Sequence, residues 1–188
     1  NIAHHSADRV VGYDVGPCNQ ALNGLAAEAG AAYDAGGAMA RQGRVLPELL
    51  AQLDALPFYH QAPPRSLGRE WYEVHMRPLL SDRSIALSDR LRTAVEHCAG
   101  KIARELRNVG AQACLVTGGG AHNTLLVERL RELSGLAIEL PSTALIDHKE
   151  AYIFAFLGML RSLGEPTALA SVTGARRDSV GGALYLPN

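Results

Sequence analysis

The chain has 188 residues, 18 basic and 19 acidic side chains and a net charge of −1; 47% of its residues are hydrophobic and 20% charged. That balance supports a folded core and excludes a disordered chain. It offers no basic field for phosphate-driven nucleic-acid binding, and a 5% aromatic share leaves few platforms for base stacking. The three cysteines, Cys18, Cys98 and Cys114, form no CxxC pair, which points to free thiols in a reducing compartment. The longest apolar run, residues 151–160, is too short to cross a bilayer, and no secretion signal opens the chain. A start at Asn1-Ile2-Ala3 without Met reads as the interior of a longer protein.

In chain order, residues 4–9 read as a polar turn and residues 10–13 as a short strand. Asp14-Val15-Gly16-Pro17 is a loop signal. Residues 19–32 are expected to form a helix with Leu22, Leu25, Ala26 and Ala29 on one face. A second amphipathic helix is expected over residues 44–56, ended by Pro57. Residues 58–71 hold Pro63-Pro64 and Gly68 and form the one long loop, a length more often functional than structural. Residues 79–87 are ambiguous. Ser88 is the expected cap of a helix ending near Val109, with Leu91, Val95, Cys98, Ile102 and Leu106 as its apolar stripe. Gly110 stands where a left-handed turn would end that helix.

Beyond it, residues 113–116 read as a buried strand, 123–133 as a helix and 136–140 as a further strand. Residues 149–163 predict an apolar helix buried on most sides. A last strand is expected over residues 183–186. Strands and helices alternate through the second half, so the class is α/β with a substantially covered sheet.

Three places could carry chemistry. Gly118-Gly119-Gly120 lies between a strand and a helix; glycines there admit close approach of a ligand, and the helix adds free N–H groups. One tight turn alone would need fewer glycines. The pattern is neither GxGxxG nor a Walker loop. Asp14 ends a strand where ligands of α/β folds gather, and could act as a general base or hold a metal through water; it could equally cap the next helix. Glu150 heads an apolar run, either as a partner of the helix dipole or as a polar group facing a site, with His148 and Lys149 beside it in solvent. The seven histidines form no metal constellation, and there is no GxSxG elbow. Cys18 lies near Asp14, which would raise its pKa and disfavour a nucleophilic role.

Taken in order, the segments Gly12-Tyr13-Asp14-Val15-Gly16-Pro17-Cys18-Asn19, Pro63-Pro64-Arg65-Ser66-Leu67-Gly68-Arg69-Glu70, Val116-Thr117-Gly118-Gly119-Gly120-Ala121-His122-Asn123, Glu150-Ala151-Tyr152-Ile153-Phe154-Ala155-Phe156 and Ser171-Val172-Thr173-Gly174-Ala175 resemble the C-terminal half of the anhydro-N-acetylmuramic acid kinase family, most closely its Bacteroidetes-type branch. The resemblance covers nearly the whole chain. It implies the C-terminal α/β half of a two-domain sugar kinase with an actin-like ATPase (ribonuclease H-like) fold. It also implies ATP and Mg2+ as cofactors, a cytoplasmic setting and an anhydro-amino-sugar as the substrate, with neither nucleic acid nor membrane as a partner and with room for a homodimer. The implied reaction phosphorylates 1,6-anhydro-N-acetylmuramic acid while water opens the anhydro ring, giving N-acetylmuramic acid 6-phosphate in the recycling of peptidoglycan.

By the same resemblance Asp14 is the catalytic base, Glu150 binds the sugar, and Gly118, Gly119 and Gly120 bind the nucleotide. The family's phosphate loop, Gly-Thr-Ser-x-Asp-Gly, belongs to an N-terminal domain that this chain does not contain, so the chain alone is expected to be inactive. Cys18 stands where the family has Gly and Val15 where it has Thr. The alternatives are a kinase of another amino sugar, and a non-catalytic nucleotide- or sugar-binding remnant.

Overall fold

A computed structural model describes residues 1–185. It is an α/β structure in which helices dominate and the sheets are small. β1 (Ile2–Ser6) and β2 (Arg9–Tyr13) form an antiparallel hairpin in which His4 faces Val11 and Ile2 faces Tyr13. Most of the expected polar turn is therefore strand, and only Ala7 and Asp8 make the reversal.

Helix α1 (Cys18–Ala26) buries Leu22, Leu25 and Ala26 of the expected face, together with Ala21; it ends six residues short of the expected end, tightening into a 3₁₀ turn at Ala27–Ala29 that leaves Ala29 exposed. Helix α2 (Pro47–Asp54) starts at a proline, whose missing N–H costs nothing in the first helical turn. After the long loop, α3 (Arg69–Trp71), a π turn (Tyr72–Met76) and α4 (Arg77–Leu80) make one continuous helical stretch. Helix α5 (Leu87–Asn108) is the centre of the molecule, and Gly110 takes the left-handed backbone beyond its end, φ 67°. Leu91 and Val95 of α5 pack with Leu22 of α1, Leu53 of α2 and Leu126 and Leu130 of α6 (Thr124–Ser134).

α6 is also the crossover between β3 (Ala113–Leu115) and β4 (Ala137–Glu139), which pair in parallel with Cys114 opposite Ile138. This second sheet has two strands and is not extensively covered. Leu115 is 58% exposed, which corrects the expectation of a buried strand. A strand with one partner and one packed face leaves alternate side chains bare.

Helix α7 (Thr143–Leu163) starts six residues before the expected position, because the Ser142 side chain caps it by accepting from the Leu145 N–H. It buries only Ile146, so the expectation of burial on most sides is also corrected. A short helix, α8 (Ala170–Thr173), then lies against β2. No strand forms over residues 183–185, and Leu186 of the expected last strand lies outside the described residues. Instead, Ala168 and Ser179 make an isolated antiparallel bridge.

Candidate functional site

Asp14 follows the last residue of β2 and is held from both sides by residues 65–67 of the long loop. Its N–H donates to the Arg65 carbonyl at 2.9 Å, and its own carbonyl accepts from Arg65 Nε at 3.2 Å. Its carboxylate Oδ2 accepts from the Leu67 N–H at 2.8 Å and from Ser66 Oγ at 3.4 Å. Oδ1 accepts no hydrogen bond among the described residues. The carboxylate does not cap α1, whose N-cap is Pro17. It borders a cleft of about 500 Å³ walled by Ile2, Gly12, Pro64, Ser66 and Thr173.

Arg65 anchors this loop to the core. Its Nη2 donates to Glu105 Oε1 of α5 at 2.8 Å and its Nη1 to the Gln61 carbonyl at 2.7 Å. Tyr13, next to Asp14, donates its hydroxyl to Glu105 Oε2 at 3.1 Å. Arg65 and Glu105 are both buried, and the guanidinium also stacks 5.0 Å from the Phe58 ring centre. Burial, and then the Glu105 carboxylate, push the Tyr13 phenol up to about 12, so it remains a donor at neutral pH. A desolvated Arg–carboxylate pair with every oxygen partnered fixes its surroundings well. Here it fixes the loop that holds Asp14.

The triple glycine forms the turn between β3 and α6. Gly118 has φ 75° and ψ −177°, a backbone that side-chain-bearing residues rarely adopt. Gly119 faces α1: a Cβ there would sit 3.2 Å from Asn19 Nδ2, closer than is comfortable. Two of the three glycines thus have reasons inside the chain itself. The Gly119 and Gly120 N–H groups donate to no partner among the described residues. Asn123 closes the turn, its Oδ1 accepting from the Leu126 N–H at 3.1 Å.

Asn19 lies one residue into α1, five residues after Asp14, and so links the two candidate sites along the chain. They border different hollows. Gly118, Gly119 and Gly120 line a hollow of about 750 Å³ together with Asn19, Val116 and Lys149. This hollow and the Asp14 cleft share Asn1, Ile2 and Ala3, and therefore adjoin at β1. On the other side, Gly119 also borders a hollow of about 540 Å³ with Asn23, Tyr33, Gly36, His122 and Asp147.

Because α7 starts at Thr143, Glu150 lies in its third turn, too far along for a dipole role, which fades within the first turn. Glu150 is exposed and lines none of these three hollows. Lys149, expected in solvent, is half-buried and donates to Thr117 Oγ1 at 3.2 Å. His122 and Asp147 share a hydrogen bond of 2.7 Å. These two links tie the first turns of α7 to the glycine turn. The Cys18 thiol is held below its ordinary value, chiefly by its hydrogen bond with Cys98, which corrects the expectation that Asp14 would raise it; the Cys98 thiol is pushed up by the same bond and then by burial.

Sequence reasoning missed Glu105, Lys149 and the His122–Asp147 pair. Glu105 was open to detection: it follows Cys98 and Ile102 at helical spacing, a charge on an apolar stripe.

A model of the family described as anhydro-N-acetylmuramic acid kinase matches residues 2–187. Curated proteins of that name are similar over nearly the whole chain. The one from Rhodococcus erythropolis is 35% identical over 184 residues, 93% of this chain and 46% of its own length. The one from Variovorax paradoxus is 36% identical over 187 residues, 94% of this chain and 49% of its own. That of Mannheimia succiniciproducens is 36% identical over 192 residues, 93% of this chain and 51% of its own. The chain spans about half the length of the curated relatives it matches. It belongs to the anhydro-N-acetylmuramic acid kinase family.

Proposed function

We propose that this chain is the C-terminal half of a two-domain, ATP-dependent sugar kinase of actin-like fold. Its reaction phosphorylates 1,6-anhydro-N-acetylmuramic acid with hydrolytic opening of the anhydro ring, giving N-acetylmuramic acid 6-phosphate in the cytoplasm. The observation that carries the reading is the Asp14 carboxylate at a cleft, held at one oxygen by Leu67 and Ser66, with the other oxygen accepting no hydrogen bond among the described residues.

Asp14 is the general base. Oδ2 fixes the orientation of the group, and Oδ1 accepts the proton of a water molecule. The water oxygen bonds to the anomeric carbon as the bond from that carbon to the bridging oxygen breaks; the electron pair of that bond stays on the bridging oxygen, the oxygen on carbon six, which is thereby free to receive the phosphoryl group with ADP as the leaving group. The fixed loop matters because a displacement of about 1 Å at such a base costs on the order of a hundredfold in rate.

The residues at the glycine turn fit a nucleotide. The Gly119 and Gly120 N–H groups have no partner among the described residues, and Lys149 Nζ lies beside Gly118. They can hold phosphate or ribose oxygens without rearrangement. When bound, ATP with magnesium supplies the phosphoryl group and neutralises its charge. Glu150, exposed on α7, binds the sugar once the chain is completed by its other half.

The test is sugar-dependent ADP release by the chain joined to the half of the Variovorax paradoxus relative that it does not match. Asp14→Asn should abolish turnover and spare ATP binding. If ATP affinity is lost instead, Asp14 belongs to the nucleotide site. No sugar-dependent turnover from the folded, joined protein with magnesium present would overturn the kinase reading. The nucleotide assignment is best tested at Gly120, where an added Cβ makes only ordinary contact with Asn19 at 3.5 Å. Gly120→Ala should weaken ATP binding; at Gly119 the same change would also push Asn19.

A further inference from the structure

Helix α7 is apolar on opposite sides and bare on both. Tyr152, Phe156, Met159 and Leu163 are spaced four, three and four apart, which aligns them on one face. Phe154 lies roughly 200° around the helix from Tyr152. All five are exposed, Phe154 at 70%. No residue from 151 to 160 carries a charge. A helix that is apolar all round has partners on several sides. Here polar links at Asp147 and Lys149 and the buried Ile146 fasten its first turns, and Arg161 Nε fastens its last by donating to the Gly182 carbonyl at 3.2 Å; Tyr152, Phe154, Phe156 and Met159 lie bare between them.

We infer that α7 is an internal docking helix, and that its occupant is the half of the family's length that this chain does not span. That half packs on the Tyr152–Phe156–Met159–Leu163 face and closes over Phe154. The inference rests on reading the chain as half of a kinase. Its support is twofold. The curated relatives are about twice as long as the segment matched, so about as much chain again is available to cover the helix. And the bare surface is two-sided. A second copy related by a twofold axis presents the same face to itself. Such a contact hides either the four-residue face or Phe154, and leaves the other in water. A separate half with its own shape can hide both, and an uncharged stretch suits the core of such an interface. Glu150 immediately precedes this stretch, so docking of α7 carries it to the border between the halves.

Hydroxyl-radical footprinting tests this directly, because Tyr152, Phe154, Phe156 and Met159 all react readily when exposed. Oxidation is compared in the 188-residue chain alone, at several concentrations, and in the same chain joined to the unmatched half of the Variovorax paradoxus relative. Exposed His75 serves as the reference. Oxidation at Phe154 and at Phe156 should both slow several-fold in the joined protein and stay concentration-independent in the chain alone. Unchanged rates in a folded joined protein would overturn the inference. So would protection in the chain alone that grows with its concentration, which would assign the face to a second copy, or protection that needs anionic lipid vesicles.

A Phe154→Glu/Phe156→Glu variant should keep the circular dichroism of the chain alone and lose the protection that joining gives Tyr152 and Met159 in the unsubstituted protein. Failure here and failure of the kinase reading are separable: protection without sugar turnover sustains the docking and sinks the kinase, and turnover without protection does the reverse.

Discussion

Helices α5 and α7 are nearly equal in length, 22 and 21 residues, and their surroundings run against their compositions. α5 carries many charges, yet it buries Arg90, His97 and Glu105. Each has a partner. Arg90 holds both Glu28 oxygens at 2.9 Å and the Leu80 carbonyl at 2.8 Å, His97 Nδ1 meets Asp54 at 2.7 Å, and Glu105 meets Arg65 and Tyr13. α7 carries no charge from residue 151 to residue 160 and buries one residue. Burial is decided by what the rest of the chain brings to a helix, and only secondarily by the helix's own hydropathy. On the docking proposal, the difference also separates a region that is complete in this chain from one that is not.

The largest expected effect is on the α5 side. Arg65→Met leaves Glu105 buried without its cation and should cost about 3–5 kcal/mol in urea unfolding. The double variant Arg65→Met/Glu105→Leu should recover part of that loss, since no charge is then stranded. A cost under about 1 kcal/mol for the single variant would mean the pair is wet, and the contrast between the helices would weaken. Next in size is Leu91→Ala, at a fully buried position of α5, which should cost about 2–5 kcal/mol by the same measurement.

A pH titration sharpens the α5 side further. Burial holds the His97 imidazole below its ordinary value, against the opposing pull of Asp54. The unfolded chain therefore binds that proton more readily than the folded one. The stability tied to neutral His97 is complete above the ordinary histidine value of about 6.5 and is lost as pH falls from there toward the folded value. The Asp54 carboxyl is held below its usual range chiefly by its hydrogen bonds to His97 and Lys101, which outweigh burial, so its contribution is lost only at more acid pH. The melting temperature should drop between pH 7.5 and 5.5, and His97→Gln should flatten that drop. An unchanged slope in the variant would remove His97 as the cause.

The contrast also explains what was legible in the sequence. The stripe of α5 and the apolar face of α1 were readable because their partners lie within the chain and periodicity reports them. Gly118 was readable as a special backbone, because positive φ leaves few alternatives to glycine. The start of α7 was not read, since Pro141-Ser142 is a short signal beside a long apolar run, and the misplaced start put Glu150 at a helix terminus. The covered sheet was misjudged for the same reason as α7: apolar residues such as Leu115 record the need for a partner, not its presence. At Asp14 the sequence left a helix cap open beside a role in chemistry, and only the hydrogen bonds from Ser66 and Leu67, over 50 residues along the chain, remove the cap. No periodicity carries that information.

The smallest effect tests the other side of the comparison. Phe154→Ser removes a large apolar side chain that is 70% exposed. In the 188-residue chain it should change the unfolding free energy by no more than about 0.5 kcal/mol, as exposed substitutions do. In the joined protein the same substitution should cost about 1.5–3 kcal/mol, the value of fully burying such a side chain. The pair of measurements matters more than either one. A cost already present in the chain alone would mean that α7 is packed there, and the two helices would differ in composition only. No cost in either protein would mean that Phe154 faces water throughout. Only a near-zero cost that becomes large on joining makes exposure of α7 a property of half a protein.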